Sequence, residues 1–178
     1  MEKISRTDDL FAGAIAAENA AKDFYKSLSL IFSHVPEASL IWERMMKDED
    51  FHSRELQAIR NTLSDEQLSK PLDQSIADKV SAEMNNLPAK VALNKVKTLN
   101  DALDLAYELE YSEVNAVFQV IIREFVSSES RAKFVLSLVR EHVSRLEEFS
   151  RMIPSTEERR KLLAVHIRNT DARKHISP

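Results

Sequence analysis

Apolar residues recur at spacings of three and four along most of this chain, and polar breaks divide them into segments of helical length. The breaks include SHVPEAS, SSES and the proline at position 154. This pattern predicts four long helices, at about Asp8–Ser33, Pro36–Leu63 and Thr98–Val126, and from SSES to Ile153. Thr98 and Asp101 have capping-box spacing at the start of the third helix.

The segment between the second and third helices, about 64–97, is more polar and contains Pro71 and Pro88. It is predicted to hold one or two short helices, around Asp73–Asn85 and Lys90–Val96. Two short connections and one crossover of this length predict an all-α, ferritin-like four-helix bundle. We expect residues 1–154 to form the bundle and 155–178 to add a short helix and a tail. That helix is expected to dock on its own bundle or on a second subunit.

The composition excludes several classes of function. The chain contains one glycine and no cysteine, and its formal net charge is −4. Glycine-rich phosphate loops, disulfides, thiol catalysis and cysteine-bound metal clusters are therefore not expected. The charge gives no general reason to bind nucleic acid or an anionic membrane. With no apolar targeting run and no stretch of roughly 20 apolar residues, we expect a cytoplasmic protein.

Ionisable residues interrupt the apolar face of every long helix near its middle. A carboxylate moved alone into an apolar interior costs several kcal/mol, roughly, so it must be neutralised, paired or bound to a metal. No lysine or arginine lies on these faces to serve as the partner. Carboxylates and imidazoles without thiolates favour iron or manganese, with zinc as a substitute. The predicted metal ligands are Glu18, Glu49, His52, Glu110, Glu113 and His142.

The candidate ligands also repeat along the chain. Glu18 and Glu110 are separated by roughly 90 residues, as are His52 and His142. A duplicated helical hairpin would produce this spacing, since each copy contributes a glutamate and a later histidine. Tyr25, Tyr107 and Tyr111 lie on the glutamate-bearing helices, where packing with a satisfied hydroxyl is the more usual role.

Four stretches carry a resemblance to a known family: AIAAENAAKDFYKSL, DEDFHSREL, KTLNDALDLAYELEYSE and LVREHVSRLEEF. They resemble the ligand-bearing helices of the ferritin-like di-iron carboxylate superfamily, specifically rubrerythrin-like proteins without a rubredoxin domain. The resemblance implies that Glu18 and Glu110 are the single glutamates, that EDFH supplies Glu49 and His52, and that His142 is the second histidine. Glu113 resembles the additional glutamate of rubrerythrins. It also implies two irons per chain if the site is complete, and peroxide or oxygen reduction with electrons from a separate donor protein.

The chain departs from the family pattern in the fourth helix. Val139 stands three residues before His142, where the pattern has a glutamate, and Glu141 lies about 100° further round the helix. The metal stoichiometry is therefore left open. Three functions remain: a peroxide- or oxygen-reducing di-iron protein, an iron-binding or ferroxidase-like protein, and a metal-free structural or interaction module. A homodimer is one assembly to be tested.

Overall fold

The computed structural model describes residues 4–111 and 113–152, without the side chains of residues 113–116, 119, 138–140 and 152. Within this part the regular elements are helices and there is no β-strand, so the prediction of an all-α protein is confirmed. The helices are α1 Thr7–Ile31, α2 Pro36–Arg60, α3 Asp65–Ser69, α4 Gln74–Lys90, α5 Leu99–Glu110, α6 Glu113–Phe125 and α7 Glu129–Met152, with a 3-10 turn at Leu93–Lys95.

The first hairpin consists of α1 and α2, each an unbroken helix of 25 residues. At the start of α1 the Asp9 carboxylate accepts hydrogen bonds from the backbone N–H groups of Ser5 and Arg6. These bonds reduce the number of unpaired donors at this end of the helix. Pro36 occupies the first turn of α2, as predicted, because its missing N–H costs nothing at that position. The faces defined by the three-and-four spacing are buried from Phe11 to Leu28 in α1 and from Trp42 to Ile59 in α2.

The crossover contains more regular structure than predicted. Helix α4 runs on to Lys90 and includes Pro88, where we expected a break and a separate helix over Lys90–Val96. Pro88 has no N–H to donate to the carbonyl group of Met84, and the helix ends two residues later. Helix α4 packs against α1, α5 and α6.

The third long helix was predicted as one unit and is two. Thr98 and Asp101 form the predicted capping box, but α5 ends at Glu110 and α6 begins at Glu113. No proline or glycine marks this interruption in the sequence. Within α6, Val120, which the three-and-four spacing places on the apolar face after Glu113 and Val117, is 37% exposed instead, and Ile121 is fully buried.

The long helices pack so that their middle turns face one another. Helix α2 runs antiparallel to α7, since Trp42 near the start of α2 contacts Phe149 near the end of α7, and Glu55 pairs with Arg131 at the opposite ends. Helix α1 packs along α2 and also contacts α6. No helix within the described residues is both long and apolar enough to cross a membrane. The predicted C-terminal helix, and the predicted end of α7 at Ile153, lie outside the described residues.

Candidate metal centre

Five of the six predicted ligands meet in the interior of the protein. Each is at most 5% exposed, although all are ionisable. They come from four different helices: Glu18 from α1, Glu49 and His52 from α2, Glu110 from the end of α5, and His142 from α7.

Glu49 occupies the centre of this cluster, and its two carboxylate oxygens face different histidines. Glu49 Oε2 lies 3.1 Å from His52 Nδ1, and Glu49 Oε1 lies 3.4 Å from His142 Nδ1. The outer glutamates complete the arrangement: Glu18 Oε2 is 3.5 Å from His52 Nδ1, and Glu110 Oε2 is 3.2 Å from His142 Nδ1. The cluster therefore has a Glu18–His52 half and a Glu110–His142 half, which share Glu49.

Tyr25 supports the Glu110–His142 half. Its hydroxyl donates a 2.6 Å hydrogen bond to Glu110 Oε1, and its ring stacks on that of Trp42 with 5.9 Å between the ring centroids. Both rings are fully buried. Of the two roles considered for the tyrosines, Tyr25 thus combines packing with a hydrogen bond to a predicted ligand.

The outer nitrogens of the two histidines have different surroundings. Neither Nε2 atom makes a hydrogen bond within the described residues. The Nε2 of His142 nevertheless lies 3.4 Å from Asp48 Oδ2, and Arg145 in turn contacts the Asp48 carboxylate. The His52 ring packs on Phe118 instead, with 4.8 Å between the ring centroids.

Sequence reasoning missed Asp48, Arg145 and Phe118. Asp48 precedes Glu49 and so lies about 100° away on the helix, which gave no reason to place it near an imidazole of another helix. Phe118 is buried against His52, whereas the three-and-four spacing places its neighbour Val117 on the apolar face. The available signal was the run DED, in which only the middle residue had been assigned to the site.

The structure answers in part whether Glu141, in α7, replaces the glutamate that is absent at position 139. The Glu141 side chain is 53% exposed and accepts a hydrogen bond from Arg145 at 3.0 Å. It therefore points away from the cluster and does not replace the glutamate that the pattern has at position 139. Glu113 is the first residue of α6, but its side chain and that of Val139 lie outside the described part.

Burial and proximity separate the pKa values of the two neighbouring carboxyl groups. Burial, and then the charge of Glu49, raises the pKa of Glu18 to about 8. Burial also tends to raise the pKa of Glu49, but the charge of His142 and hydrogen bonds with both histidines hold it well below its ordinary value. Glu18 therefore retains its proton at neutral pH and Glu49 is ionised.

The pKa values of the two histidines are raised, whereas burial alone lowers the pKa of an imidazole. Burial tends to lower the pKa of His52, yet hydrogen bonds to Glu18 and Glu49 raise it to about 9. The pKa of His142 is likewise raised well above its ordinary value, against burial, by the charges of Glu110 and Glu49. Without a metal, protons on the imidazoles thus provide positive charge in the cluster.

Glu49, His52 and His142 each offer a ligand atom, and these three atoms lie within 4.8 Å of one another. Such a group could hold a metal ion. No protein-family model, curated protein or solved structure matches this chain. The resemblance to rubrerythrin-like proteins therefore stays a prediction, and the interpretation of the site depends on its geometry and charges.

Proposed function

We propose that this protein is a ferritin-like four-helix bundle with one long crossover, and that it works as a rubrerythrin-like non-haem di-iron protein. It reduces peroxide or oxygen with electrons from a separate donor. The observation that carries the proposal is the position of Glu49, which directs one oxygen to the Nδ1 atom of each buried histidine. A carboxylate placed in this way would offer ligand atoms to metal ions held with either histidine.

The donor set fits two divalent cations. Glu18, Glu49 and His52 would hold one, and Glu49, Glu110 and His142 the other. Glu18 and Glu49 have imidazoles rather than lysine or arginine as cationic partners within the described part of the chain. A metal would take over the charge that imidazole protons supply in its absence, since only a deprotonated nitrogen can bind a metal.

The chemistry of the ligands narrows the choice of metal. Carboxylate oxygen with imidazole nitrogen suits iron or manganese, and zinc also accepts these ligands. These 178 residues contain no cysteine for a rubredoxin-type centre, so the proposal includes a separate electron donor. When bound, a ferrous pair supplies the two electrons that convert hydrogen peroxide to water.

The protein's own residues prepare the site for that chemistry. The buried rings of Tyr25, Trp42 and Phe118 exclude bulk water from the cluster. Burial, and then the charge of Glu110, raises the pKa of Tyr25 well above its ordinary value. Tyr25 therefore keeps its proton and continues to donate to Glu110, which fixes the orientation of that carboxylate.

Anaerobic loading with Fe(II), desalting and a hydrogen peroxide pulse followed in the near-ultraviolet test the proposal. We expect two irons per chain, oxidised by peroxide and reduced again by added electron donor through repeated cycles. His52→Ala should lose iron, whereas the exposed His34→Ala should keep it. Failure of the wild type to retain metal would overturn the proposal and favour a metal-free module, and many irons per chain would favour iron storage.

A further inference from the structure

The two halves of the cluster contain the same ligand types but are held in place by different contacts. In the Glu110–His142 half, polar neighbours reach both outer ligands: Tyr25 donates to Glu110, and Asp48 lies beside His142 Nε2. Neither Nε2 atom makes a hydrogen bond within the described residues, but His142 has the Asp48 carboxylate beside its Nε2 atom, whereas the His52 ring packs on Phe118.

These differences affect how well each histidine is prepared for a metal. A histidine binds a metal through one nitrogen, and a carboxylate near the other nitrogen favours the tautomer that leaves the binding nitrogen free. Asp48 is positioned to do this for His142, because it faces Nε2 while Nδ1 faces Glu49 and Glu110. No described carboxylate is recorded beside Nε2 of His52.

Arg145 makes the position of Asp48 more specific. It contacts Asp48 on one side and Glu141 on the other, so the Asp48 carboxylate is held between α2 and α7. The Asp48 side chain is 27% exposed and therefore lies at the edge of the buried cluster. Its substitution should leave the core packing intact.

We propose that the Glu110–His142 half is the high-affinity metal position, and that Asp48 is the positioning residue that makes it so. The Glu18–His52 half then takes the second, more weakly held ion. This inference rests on the proposed function, since it assumes that both halves bind metal. It adds an order of loading and assigns a role to Asp48, a residue that is not itself a ligand.

Titration of the metal-free protein with Co(II), followed by visible absorption and equilibrium dialysis, tests this proposal. The wild type should bind two ions in steps separated by at least about 10-fold in affinity. Asp48→Asn should weaken the tighter step by about 10-fold to 100-fold and leave the weaker step almost unchanged, as expected for loss of an outer partner of a ligand. It should also alter the absorption bands of the first ion.

Asp50→Asn is the matched control. It removes the same charge from the same helix, but Asp50 pairs with Lys22 and Arg54 at the surface. Both steps should keep their wild-type affinities in this variant. Circular dichroism of each metal-free variant establishes that it is folded.

The possible results separate this inference from the proposed function. Two equal steps in the wild type, or an Asp48→Asn variant in which the tight step is unchanged or both steps fall together, would overturn the inference alone. A single ion that is lost in His142→Gln and kept in His52→Gln would support the tight half and overturn the di-metal proposal. No binding in the wild type would overturn both.

Discussion

The first hairpin, α1 and α2, and the second, α5, α6 and α7, bring similar ligands to the cluster. Their helices differ in how they are built. In the first, Glu18 and Glu49 lie well inside unbroken helices of 25 residues. In the second, Glu110 is the last residue of α5, and a separate helix begins at Glu113. A carboxylate at a helix C-terminus, such as Glu110, faces the negative end of the helix dipole, whereas one in the middle of a helix, such as Glu18, feels little of it.

The first hairpin compensates for this difference. Tyr25, on α1, donates its hydroxyl to Glu110, and Asp48, on α2, lies beside His142. The ligands of the second hairpin are therefore supported in part by residues of the first. The comparison shows that a repeated ligand pattern does not imply repeated support, and each of the following predictions tests one side of it.

The largest expected effect on stability concerns the buried face of α6 in the second hairpin. Ile121→Ala should lower the free energy of unfolding by about 2–5 kcal/mol, because it leaves a cavity in the core. Val120→Ala should cost less than about 1 kcal/mol, because Val120 is partly exposed. Urea unfolding followed by circular dichroism gives both values. A larger loss for Val120→Ala than for Ile121→Ala would contradict the burial of these two side chains.

The next effect is the pH dependence of the stability of the metal-free protein, to which Glu18 and His52 contribute. Folding raises the pKa of Glu18 from 4.5 to about 8 and that of His52 from 6.5 to about 9. The folded state therefore binds more protons than the unfolded state, and stability falls as pH rises. Between pH 6.5 and 8 these two groups together should cost about 2–4 kcal/mol, at about 1.4 kcal/mol per proton and pH unit, and His142, whose pKa is also raised, adds a loss of the same sign.

Metal binding should have the opposite pH dependence. Because ligands must lose protons before they bind, the affinity for Co(II) should rise over the same pH range. Replacing Glu18 by glutamine should remove its share of the pH dependence and raise the stability at pH 6.5 by about 2–3 kcal/mol, since glutamine is neutral in both states whereas the glutamate of the unfolded wild type is ionised there. Stability of the metal-free wild type that rises with pH between 6.5 and 8 would contradict the proposed charge distribution.

The smallest expected effect is the contact between the hairpins. Tyr25→Phe should lower the free energy of unfolding by about 1–3 kcal/mol, because it removes a hydrogen bond to a buried carboxylate. A double-mutant cycle with Glu110→Gln isolates this interaction and should give a coupling energy of about 1 kcal/mol or more. Fully additive effects would show that Tyr25 contributes only through packing.

The ligand positions could be predicted from the sequence because a charged residue on an apolar helical face is a strong local signal. This signal identified Glu18, Glu49, His52, Glu110 and His142, and all five are buried together. The interruption after Glu110 had no such signal, since neither proline nor glycine marks it. Asp48 could not be assigned to the site because its role depends on a contact with another helix, and helical periodicity describes only one helix at a time.

The most direct test of the central claim is the number of metal ions held by the wild type and by Glu49→Gln. Glu55→Gln is the control, since Glu55 lies on the same helix and pairs with Arg131 outside the cluster. After Fe(II) loading without oxygen and desalting, we expect two ions per chain in the wild type and in the control, and none held tightly in Glu49→Gln. Equal metal content in all three proteins would contradict the assignment of Glu49 as the shared ligand.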